Sequence, residues 1–334
     1  MSKMDREPKR ICNVGGEALI EGIMMRGPEG YAVVVRDTKG ELVIEKTKQK
    51  LLASKNTFLG LPLVRGSVGL IDSMSIGVKS LFRSAELSGL EDDPDYKPSK
   101  LDKFVDKKFG DKSFKILMYI SLIIGAVIAV GLFILLPNFI ATLIVSKDQS
   151  WILFNCIEGL VKIVIFMGYL VLMSCAGDIK RVFMYHGAEH KTIHCYESEE
   201  ELTVENVRKH TRFHPRCGTA FLFVFIIISI IIFSFLPRFD NLLLNSLFRI
   251  LLIPVVAGIA YEFNRYAGRS NSIVARILRA PGLGMQRFTT KEPDDSMIEV
   301  AIASLNEALA MQKEDLPLKA CGYESTRKNA CEQN

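Results

Sequence analysis

The first 115 of the 334 residues lack any uncharged apolar segment long enough to cross a membrane. They also lack the apolar core behind a basic start that marks a secretory signal peptide. We therefore expect the amino-terminal region to be a cytoplasmic domain without a cleaved leader.

Disulfide patterns and a strong net charge are also missing. The seven cysteines are an odd number and lack the dense, regular spacing of a secreted disulfide framework, so we expect reduced thiols. The formal net charge is +5, which is too small for a chain of this length to indicate a nucleic-acid partner.

What the sequence does contain is a sharp segregation of charge. Charged residues crowd into residues 1–115, 176–217 and 263–334, whereas the stretches between them are almost purely Ile, Leu, Val and Phe. This distribution excludes a simple soluble globule, a disordered chain and a coiled coil.

Four of the apolar stretches have close to the ~20 residues that cross ~30 Å of hydrocarbon. They are residues 116–136, 151–175, 218–236 and 242–262. The second and fourth carry charges, so a buried or interfacial helix is the alternative for them. In the second, Glu158 and Lys162 are four residues apart and can pair on one helix face. We predict an α-helical integral membrane protein with four transmembrane helices.

Basic residues flank these spans unevenly. They concentrate before the first span, in residues 176–217 and after the fourth span, whereas the loops 137–150 and 237–241 contain one each. Because basic loops stay in the cytoplasm, four spans with both termini cytoplasmic fit every loop. We expect a multi-pass protein of the inner (cytoplasmic) membrane, in contact with the lipid bilayer.

Hydrophobic periodicity subdivides the rest of the chain. A hairpin is predicted from residues 31–37 and 41–47, and helices are predicted over 67–87, 264–279 and 294–310. The predicted regions are a cytoplasmic α+β domain (1–90), a charged linker (91–115), a four-helix membrane domain (116–262) with a cytoplasmic His-rich loop (176–217), cytoplasmic basic and amphipathic helices (263–311) and a disordered tail (312–334).

All five histidines lie within 29 consecutive residues. On a helix, His186, Glu189 and His190 share a face and His194 lies one turn further on. Two imidazoles four residues apart can bind one divalent cation, and a nearby carboxylate can serve as general base for a metal-bound water. The pattern His-x-x-Glu-His matches that of the inverzincin metalloproteases. Gly187 disfavours the helix, so we expect an irregular backbone there.

A second set of metal ligands follows in the same segment. His214 and Cys217 have the two-residue gap typical of zinc knuckles, and His210 lies close by. If the second span continued straight to His186, that residue would lie about 16 Å beyond the membrane edge. A shared site therefore requires a bend near Gly177 or a displaced span. The alternatives are a pH-sensing cluster and imidazoles at the lipid interface without a metal.

Residues 14–28 form a glycine-rich block with two acids and an arginine. The glycines suggest a backbone that approaches another group closely, and Glu17 or Glu21 can add a carboxylate to a metal or substrate site. The alternative is a glycine-rich strand entry whose Met24 and Met25 simply pack in a core.

With these segments in view, the chain resembles the bacterial YqhQ-like membrane proteins, a family of unknown function labelled as predicted metal-dependent enzymes. The resemblance runs from about residue 11 to about residue 310. It rests on four blocks, which are Gly15-Gly16-Glu17-Ala18 through Glu21-Gly22-Ile23-Met24-Met25-Arg26, Tyr185-His186-Gly187-Ala188-Glu189-His190-Lys191-Thr192, His214-Pro215-Arg216-Cys217-Gly218-Thr219, and Ala280-Pro281-Gly282-Leu283 through Gln286 to Thr289-Thr290-Lys291-Glu292-Pro293-Asp294-Asp295.

The resemblance implies further site residues. The first block contains Glu17, Glu21 and Arg26, so the resemblance favours a role for these residues in a site. The last block makes a further set of residues candidates for a cytoplasmic site assembled with the histidine segment. This set consists of Gln286, Thr290 and Glu292.

The favoured hypothesis is a membrane-embedded metallohydrolase at the cytoplasmic face. Its base is Glu189, and its zinc ligands come from the set His186, His190, His194, His214 and Cys217. Cysteine ligands favour zinc, whereas a histidine and carboxylate set would also suit iron or manganese. Substrates that reach this face are membrane-protein segments, peptides and lipid head groups.

Two other classes of function compete with the hydrolase. One is a non-enzymatic factor for membrane-protein assembly or partner binding, with a closed structural metal site built from Cys195, His210, His214 and Cys217. The other is a transporter, for which four spans without an internal repeat give little support, although a homo-oligomer could build a pore.

Overall fold

The computed structural model describes residues 12–52, 56–89, 113–146, 150–236, 241–270 and 272–311. The predicted linker lies almost entirely outside these ranges, and the predicted tail lies entirely outside them. The chain forms two compact units. The first combines the residues up to Leu90 with Val171–Val224 and the chain from Ala257 onward, and the second comprises Glu91–Leu170 and Phe225–Val256.

The amino-terminal part of the first unit is a four-stranded antiparallel sheet in the order β1-β2-β3-β4. The strands are β1 Gly15–Leu19, β2 Gly22–Arg26, β3 Gly30–Arg36 and β4 Leu42–Lys48. The predicted hairpin is β3 and β4, with Val34 paired to Ile44. Gly40 closes the turn with a φ of 83°, a conformation that glycine adopts without strain.

Both faces of this sheet are covered, because alternate residues of a strand point in opposite directions. On one face, Leu19 and Val33 pack with Ile76 of helix α1 (Val64–Leu87). On the other face, Ile23 and Val34 join a larger core. Met24 and Met25 are both buried, one on each face, as a packing role for these residues requires.

Three helices of the same unit contribute to the larger core. They are α5 Gly177–Glu197, α6 Val204–Arg208 and α10 Asp295–Met311. Helix α10 confirms the helix predicted over residues 294–310. It begins with a side-chain cap, since the Asp294 carboxylate accepts a hydrogen bond from the Met297 amide at 2.9 Å. Its buried Ser304 donates a hydrogen bond to the Ile23 carbonyl at 3.1 Å and so ties the helix to the sheet.

Within the described residues, three helices are long and apolar enough to span a membrane. They are Ile116–Ile144, Trp151–Cys175 and Leu244–Gly268. These contain α2 Ser113–Val130 with α3 Leu136–Ile144, then α4 Trp151–Cys175, and most of α8 Leu242–Arg269. The remaining predicted span forms a shorter apolar helix, α7 Gly218–Ser234.

The first span differs from its prediction at its carboxyl end. We expected Pro137 to end it, but the helix continues to Ile144. A π-helical turn, Gly131–Leu135, joins α2 to α3 immediately before this proline. A proline cannot donate the normal helical hydrogen bond and collides with the preceding turn, and a local widening of the helix accommodates both defects.

Three charged residues on helices of the second unit, Glu158, Lys162 and Arg249, form one cluster. The Lys162 ammonium lies 3.7 Å from the Glu158 carboxylate, which confirms that these residues can pair. Arg249 also makes an ion pair with Glu158 and donates a hydrogen bond to the Asn155 side chain at 2.7 Å. The charges found in two apolar helices therefore lie together, two basic groups around one carboxylate, and charges at membrane depth are normally paired in this way.

The basic stretch after the last span also differs from its prediction. Residues 264–279 were expected to form one helix, but α8 ends at Arg269 and a new helix, α9 Ile273–Thr289, follows. The Ser272 side chain caps α9 by accepting a hydrogen bond from the Ala275 amide at 3.2 Å. Serine competes for helical backbone groups in this way, which favours a helix start over continuation.

Candidate metal centre

The helical direction changes just before the histidine segment. Ala176, with φ −73° and ψ 131°, is extended and separates α4 from α5. Of the two arrangements that the sequence allowed, a bend near Gly177 or a displaced span, this is the first. The backbone is regular at Gly187, contrary to expectation, because the glycine has a packing role: a Cβ there would collide with the Lys291 carbonyl.

The predicted ligands, joined by Glu197 and Glu200, fall into three separate groups, each with its ligand atoms within 4.8 Å of one another. The first is His186, His190 and Cys217; the second is His194, Glu197 and His214; the third is Cys195, Glu200 and His210. The residues proposed for a closed structural site are thus divided among all three groups.

In the first group, two imidazoles and a thiol converge. The His186 Nε2 lies 3.2 Å from the Cys217 Sγ, and the ring centroids of His186 and His190 are 4.4 Å apart. The His186 Nδ1 lies 2.8 Å from the Thr289 carbonyl, and the His190 Nδ1 lies 2.6 Å from the Arg212 carbonyl. A carbonyl oxygen only accepts hydrogen bonds, so in both neutral imidazoles Nδ1 carries the hydrogen and Nε2 is the free ligand atom.

Glu189 lies beside this group and is buried. Burial raises the pKa of its carboxyl group, although His186 and His190 partly offset the increase. The Gly16 amide donates a hydrogen bond to this carboxylate, and a Cβ on Gly16 would come within 2.9 Å of the Glu189 Cδ. Among the described residues, the Glu189 Oε2 and the His190 Nε2 are buried without a hydrogen-bond partner.

The electrostatics of the first group favour a thiolate. Burial by itself raises the pKa of Cys217, but His186 and His190 outweigh it and hold this pKa well below its usual value. Burial likewise lowers the pKa of His186, but Cys217, Glu189 and the Thr289 carbonyl raise it to about 9. Without a metal, these opposite shifts favour a thiolate on Cys217 facing an imidazolium on His186.

The second group is already neutralised by an arginine. Glu197 makes an ion pair with Arg216 and accepts a hydrogen bond from the Cys12 amide at 2.7 Å. Burial alone raises the pKa of Glu197, but the nearby His214 ring, the hydrogen bond from the Cys12 amide and the charge of Arg216 lower it. Because the guanidinium also lies 3.4 Å from the His214 Nε2, this group is poorly suited to a second cation.

His194 belongs to this second group. Its Nε2 lies 2.9 Å from the Phe213 carbonyl. Burial is the main cause that lowers its pKa to about 3, so the ring is neutral at physiological pH. His194 and His214 therefore lie next to the first group without joining it, with the His190 and His214 ring centroids 5.5 Å apart.

The third group lies closer to the surface. The His210 Nε2 is 3.2 Å from the Glu200 carboxylate, which is exposed. The buried Cys195 donates hydrogen bonds from its thiol to backbone carbonyls nearby. Burial raises the pKa of this thiol to about 12, which disfavours a metal-binding thiolate.

The amino-terminal candidates are placed around the first group rather than in it. Glu21 bonds through both carboxylate oxygens to Arg181 at 2.6 Å, and the Tyr185 hydroxyl donates to it at 3.2 Å. Arg26 makes an ion pair with Asp72 of α1. Glu17 points at α1, where its carboxylate occupies the space that a side chain on Gly77 would need.

One of the carboxyl-terminal candidates supports the histidine segment directly. The Gln286 side chain accepts from the His214 amide and donates to the His214 carbonyl, both at 2.8 Å. Thr290 donates its hydroxyl to the Gln286 carbonyl at 2.6 Å. Glu292 is exposed and pairs with Lys191 at 2.7 Å, away from the first group.

Glu197 and the carbonyls of Thr289 and Arg212 were not predicted. Glu197 follows His194 by three residues, a spacing that places both on one helix face, so its signal was present in the sequence. The two carbonyls had no such signal, because every residue carries the same backbone carbonyl group whatever its side chain.

The pKa of Glu17 predicts a pH-dependent stability. Burial, with a smaller contribution from Glu189, raises this pKa from 4.5 to about 7 against the opposing effect of Arg26. The folded state therefore holds the proton more tightly, and the free energy of unfolding should fall by up to about 3 kcal/mol between about pH 4.5 and pH 7. Glu17→Gln should remove this loss in thermal unfolding measured across that range in detergent. The exposed Glu29→Gln is the control, and equal pH profiles for the wild type and Glu17→Gln would refute the assignment.

Gly187→Ala tests the close contact between α5 and the segment before α10. The added methyl group would collide with the Lys291 carbonyl. The position of Lys291 is fixed because its amide donates a hydrogen bond to the Phe183 carbonyl at 2.8 Å. We expect a loss of about 2 kcal/mol in stability despite the better helix propensity of alanine. Gly177→Ala is the matched control, because no atom lies within 4 Å of its added methyl group. Equal melting temperatures for the two variants would contradict the contact.

Together, the fold and the centre define a class of helical, membrane-type protein. The chain combines helices that are long and apolar enough to span a membrane with a small antiparallel sheet and a helix that carries His186, Glu189 and His190.

Residues 61–311 match the model of the family described as "Protein of unknown function (DUF1385)", and the chain belongs to this family. It is 37% identical over 306 residues to the "Uncharacterized protein YqhQ" of Bacillus subtilis (strain 168), covering 89% of this chain and 92% of that protein. No solved structure matches the chain. The resemblance noted from the four sequence blocks is thereby confirmed.

Proposed function

We propose that this protein is a membrane-embedded, metal-dependent hydrolase. Its metal ligands would be His186, His190 and Cys217, and its general base would be Glu189. The observation that carries this proposal is the convergence of three ligand atoms beside a buried carboxylate oxygen that has no partner among the described residues. Three protein ligands leave the fourth position of a tetrahedral site open, as in catalytic rather than structural zinc sites.

The donor set suits zinc. Two neutral imidazoles and a thiolate are ligands that Zn²⁺ binds readily, and hard cations such as Mg²⁺ avoid thiolates. The depressed pKa of Cys217 supplies the required thiolate. The carbonyls of Thr289 and Arg212 hold the two imidazole rings through Nδ1, which is the usual support for a metal-bound histidine.

The chemistry follows from the position of Glu189. When bound, a divalent cation would acidify a water molecule and polarise a carbonyl oxygen. Glu189 would take one proton from the attacking water while the water oxygen bonds to the carbonyl carbon. The scissile bond to the leaving group would then break, and Glu189 would return the proton to that group. The raised pKa of Glu189, caused mainly by burial, makes this carboxylate a stronger base than an exposed one, which suits proton transfer from water.

The proposed topology has four spans and cytoplasmic termini. Helix α7 supplies the fourth span: its 17 residues extend about 26 Å, slightly less than the hydrocarbon thickness. The basic residues of 176–217 favour a cytoplasmic location for the centre in the inner membrane. Because Cys217 immediately precedes α7, the substrates would be membrane-protein segments, peptides or lipid head groups at that surface.

A second candidate is a thiol hydrolase that uses the same cysteine without a metal. It is favoured by the 3.2 Å separation of the His186 Nε2 and the Cys217 Sγ and by their opposite charges. In this reaction Cys217 would bond to the carbonyl carbon, His186 would protonate the leaving group, and water would later hydrolyse the thioester. A structural metal in a partner-binding protein is less well supported, because its four proposed ligands lie in three groups.

One experiment separates these candidates. The detergent-purified chain is assayed against panels of fluorogenic peptides and lipid esters before chelation, after chelation and after zinc is restored. A metallohydrolase loses activity on chelation and regains it with zinc. Activity that survives chelation but is abolished by iodoacetamide would identify the thiol enzyme instead. Stoichiometric zinc without activity on any substrate would favour the partner-binding protein.

A further inference from the structure

Helix α1 has its polarity reversed relative to an ordinary surface helix. Its buried positions are mostly small or polar, and they are Gly66, Asp72, Ile76, Ser80 and Ser84. Large apolar side chains point away from the protein instead: Ile71 is 63% exposed and Met74 is 61% exposed. A helix that faced water would present the opposite pattern.

The apolar surface continues into the segment that precedes the helix. Phe58, Leu61 and Leu63 are exposed by 63%, 45% and 48%. Leu81, on the same face of α1 as Met74, extends the surface in the other direction. Several large apolar side chains exposed on one helix and the segment before it indicate an interaction site rather than isolated exposed residues.

The start of α1 packs against a membrane-spanning helix. A Cβ on Gly258 would collide with the Leu63 carbonyl, and a Cβ on Gly66 would come within 2.6 Å of the Tyr261 Cβ. Gly258 and Tyr261 both belong to the candidate span Leu244–Gly268. Gly258 lies four residues before Glu262, where the apolar stretch ends, or about 6 Å along the helix axis. The contact therefore lies inside the hydrocarbon, close to its edge.

A charge pair next to this contact fits the same depth. The Arg65 guanidinium donates two hydrogen bonds of 2.6 Å to the Glu262 carboxylate, and both side chains are about one quarter exposed. A bidentate pair satisfies two charges that would be costly to leave alone in hydrocarbon.

We propose that α1 and the segment before it are immersed in the bilayer without crossing it, so that lipid acyl chains cover their apolar surface. This surface consists of Phe58, Leu61, Leu63, Ile71, Met74 and Leu81. Lipid is the occupant because the surface adjoins a membrane span at hydrocarbon depth. Lys79, which is exposed on the polar side of α1, would reach the head groups.

This position has a consequence for the candidate centre. Asp72 of α1 is paired with Arg26 of β2, and Gly77 of α1 lies against Glu17 of β1. The sheet edge that contacts Glu189 through Gly16 is thus fixed to a lipid-immersed helix. If the proposed hydrolase function holds, its substrates would be bonds presented at the membrane surface. The immersion itself does not depend on that function.

The chain's single tryptophan permits a direct test. In a Trp151→Phe background, Met74→Trp is compared with Lys79→Trp in vesicles of phosphatidylcholine and phosphatidylglycerol. Brominated acyl chains should lower the emission of Met74→Trp about twofold and that of Lys79→Trp much less, because the bromine quenches only at hydrocarbon depth. Aqueous iodide should show the reverse order.

Two results would overturn the proposal. Quenching of Met74→Trp by iodide and not by bromine would show that the surface faces water. Protection from both quenchers would show that protein covers it, either a second copy or a partner. Ile71→Trp repeats the measurement at an independent position, so a folding defect in one variant does not decide the outcome. All readouts are independent of catalysis and of bound metal.

Discussion

Cys217→Ala and His190→Ala are each expected to remove zinc from the purified protein. The first group offers only three protein ligands, so the loss of one leaves two, and two rarely hold zinc against competing buffers. The zinc affinity should fall by more than roughly 10–100-fold, which is the loss expected when a residue that only supports a metal ligand is removed. Metal content by plasma mass spectrometry, after preparation without chelators, measures the effect.

Matched controls separate this effect from general damage. His210→Ala removes a histidine of the third group, and Cys175→Ala removes an exposed cysteine. Both variants should retain about one zinc per chain, as expected for a single site. Zinc that is lost with His210→Ala but retained with His190→Ala would place the metal in the third group and refute the proposed ligand set.

Glu189→Gln is expected to abolish hydrolysis while the metal stays bound. Glutamine has the same shape but cannot take a proton from water, so the rate should fall roughly 10²–10⁴-fold. Glu189 is not among the three ligands, and zinc content should therefore be unchanged. Because burial disfavours the charged carboxylate, the neutral amide should not lower the melting temperature.

The control for this variant is Glu200→Gln, which neutralises an exposed carboxylate near the third group. It should leave the rate unchanged on any substrate found with the peptide and lipid-ester panels. Unchanged hydrolysis in Glu189→Gln would exclude this residue as the base. Loss of zinc from Glu189→Gln would instead make Glu189 a ligand.

Local patterns in the sequence predicted much of the fold. The β3–β4 hairpin follows from alternating β-formers around a glycine turn, and α10 follows from its Asp294 cap and helical periodicity. The i, i+4 spacing of His186 and His190 correctly placed both rings on one helix face. These features depend on neighbours in the sequence, which is why they could be recognised.

Long-range features could not be recognised in the same way. Cys217 belongs to the first group with His186, whereas His214 belongs to the second group with His194 and Glu197. No local pattern in the sequence predicts this division. The continuation of the first span beyond Pro137 was also missed, because a proline normally ends a helix unless the preceding turn widens. The reversed polarity of α1 became visible only when its buried face was known.

The hydrogen bond between the His186 Nδ1 and the Thr289 carbonyl joins residues 103 positions apart. Helices α7 and α8 lie between them in the chain, so the ribosome must complete both before Thr289 is synthesised. A nascent chain that stops at the end of α8 already contains both histidines and Cys217 but lacks the carbonyl that orients His186. Tight capture of the proposed metal would therefore follow the synthesis of α8, and metallation would be a late step in the biogenesis of this protein.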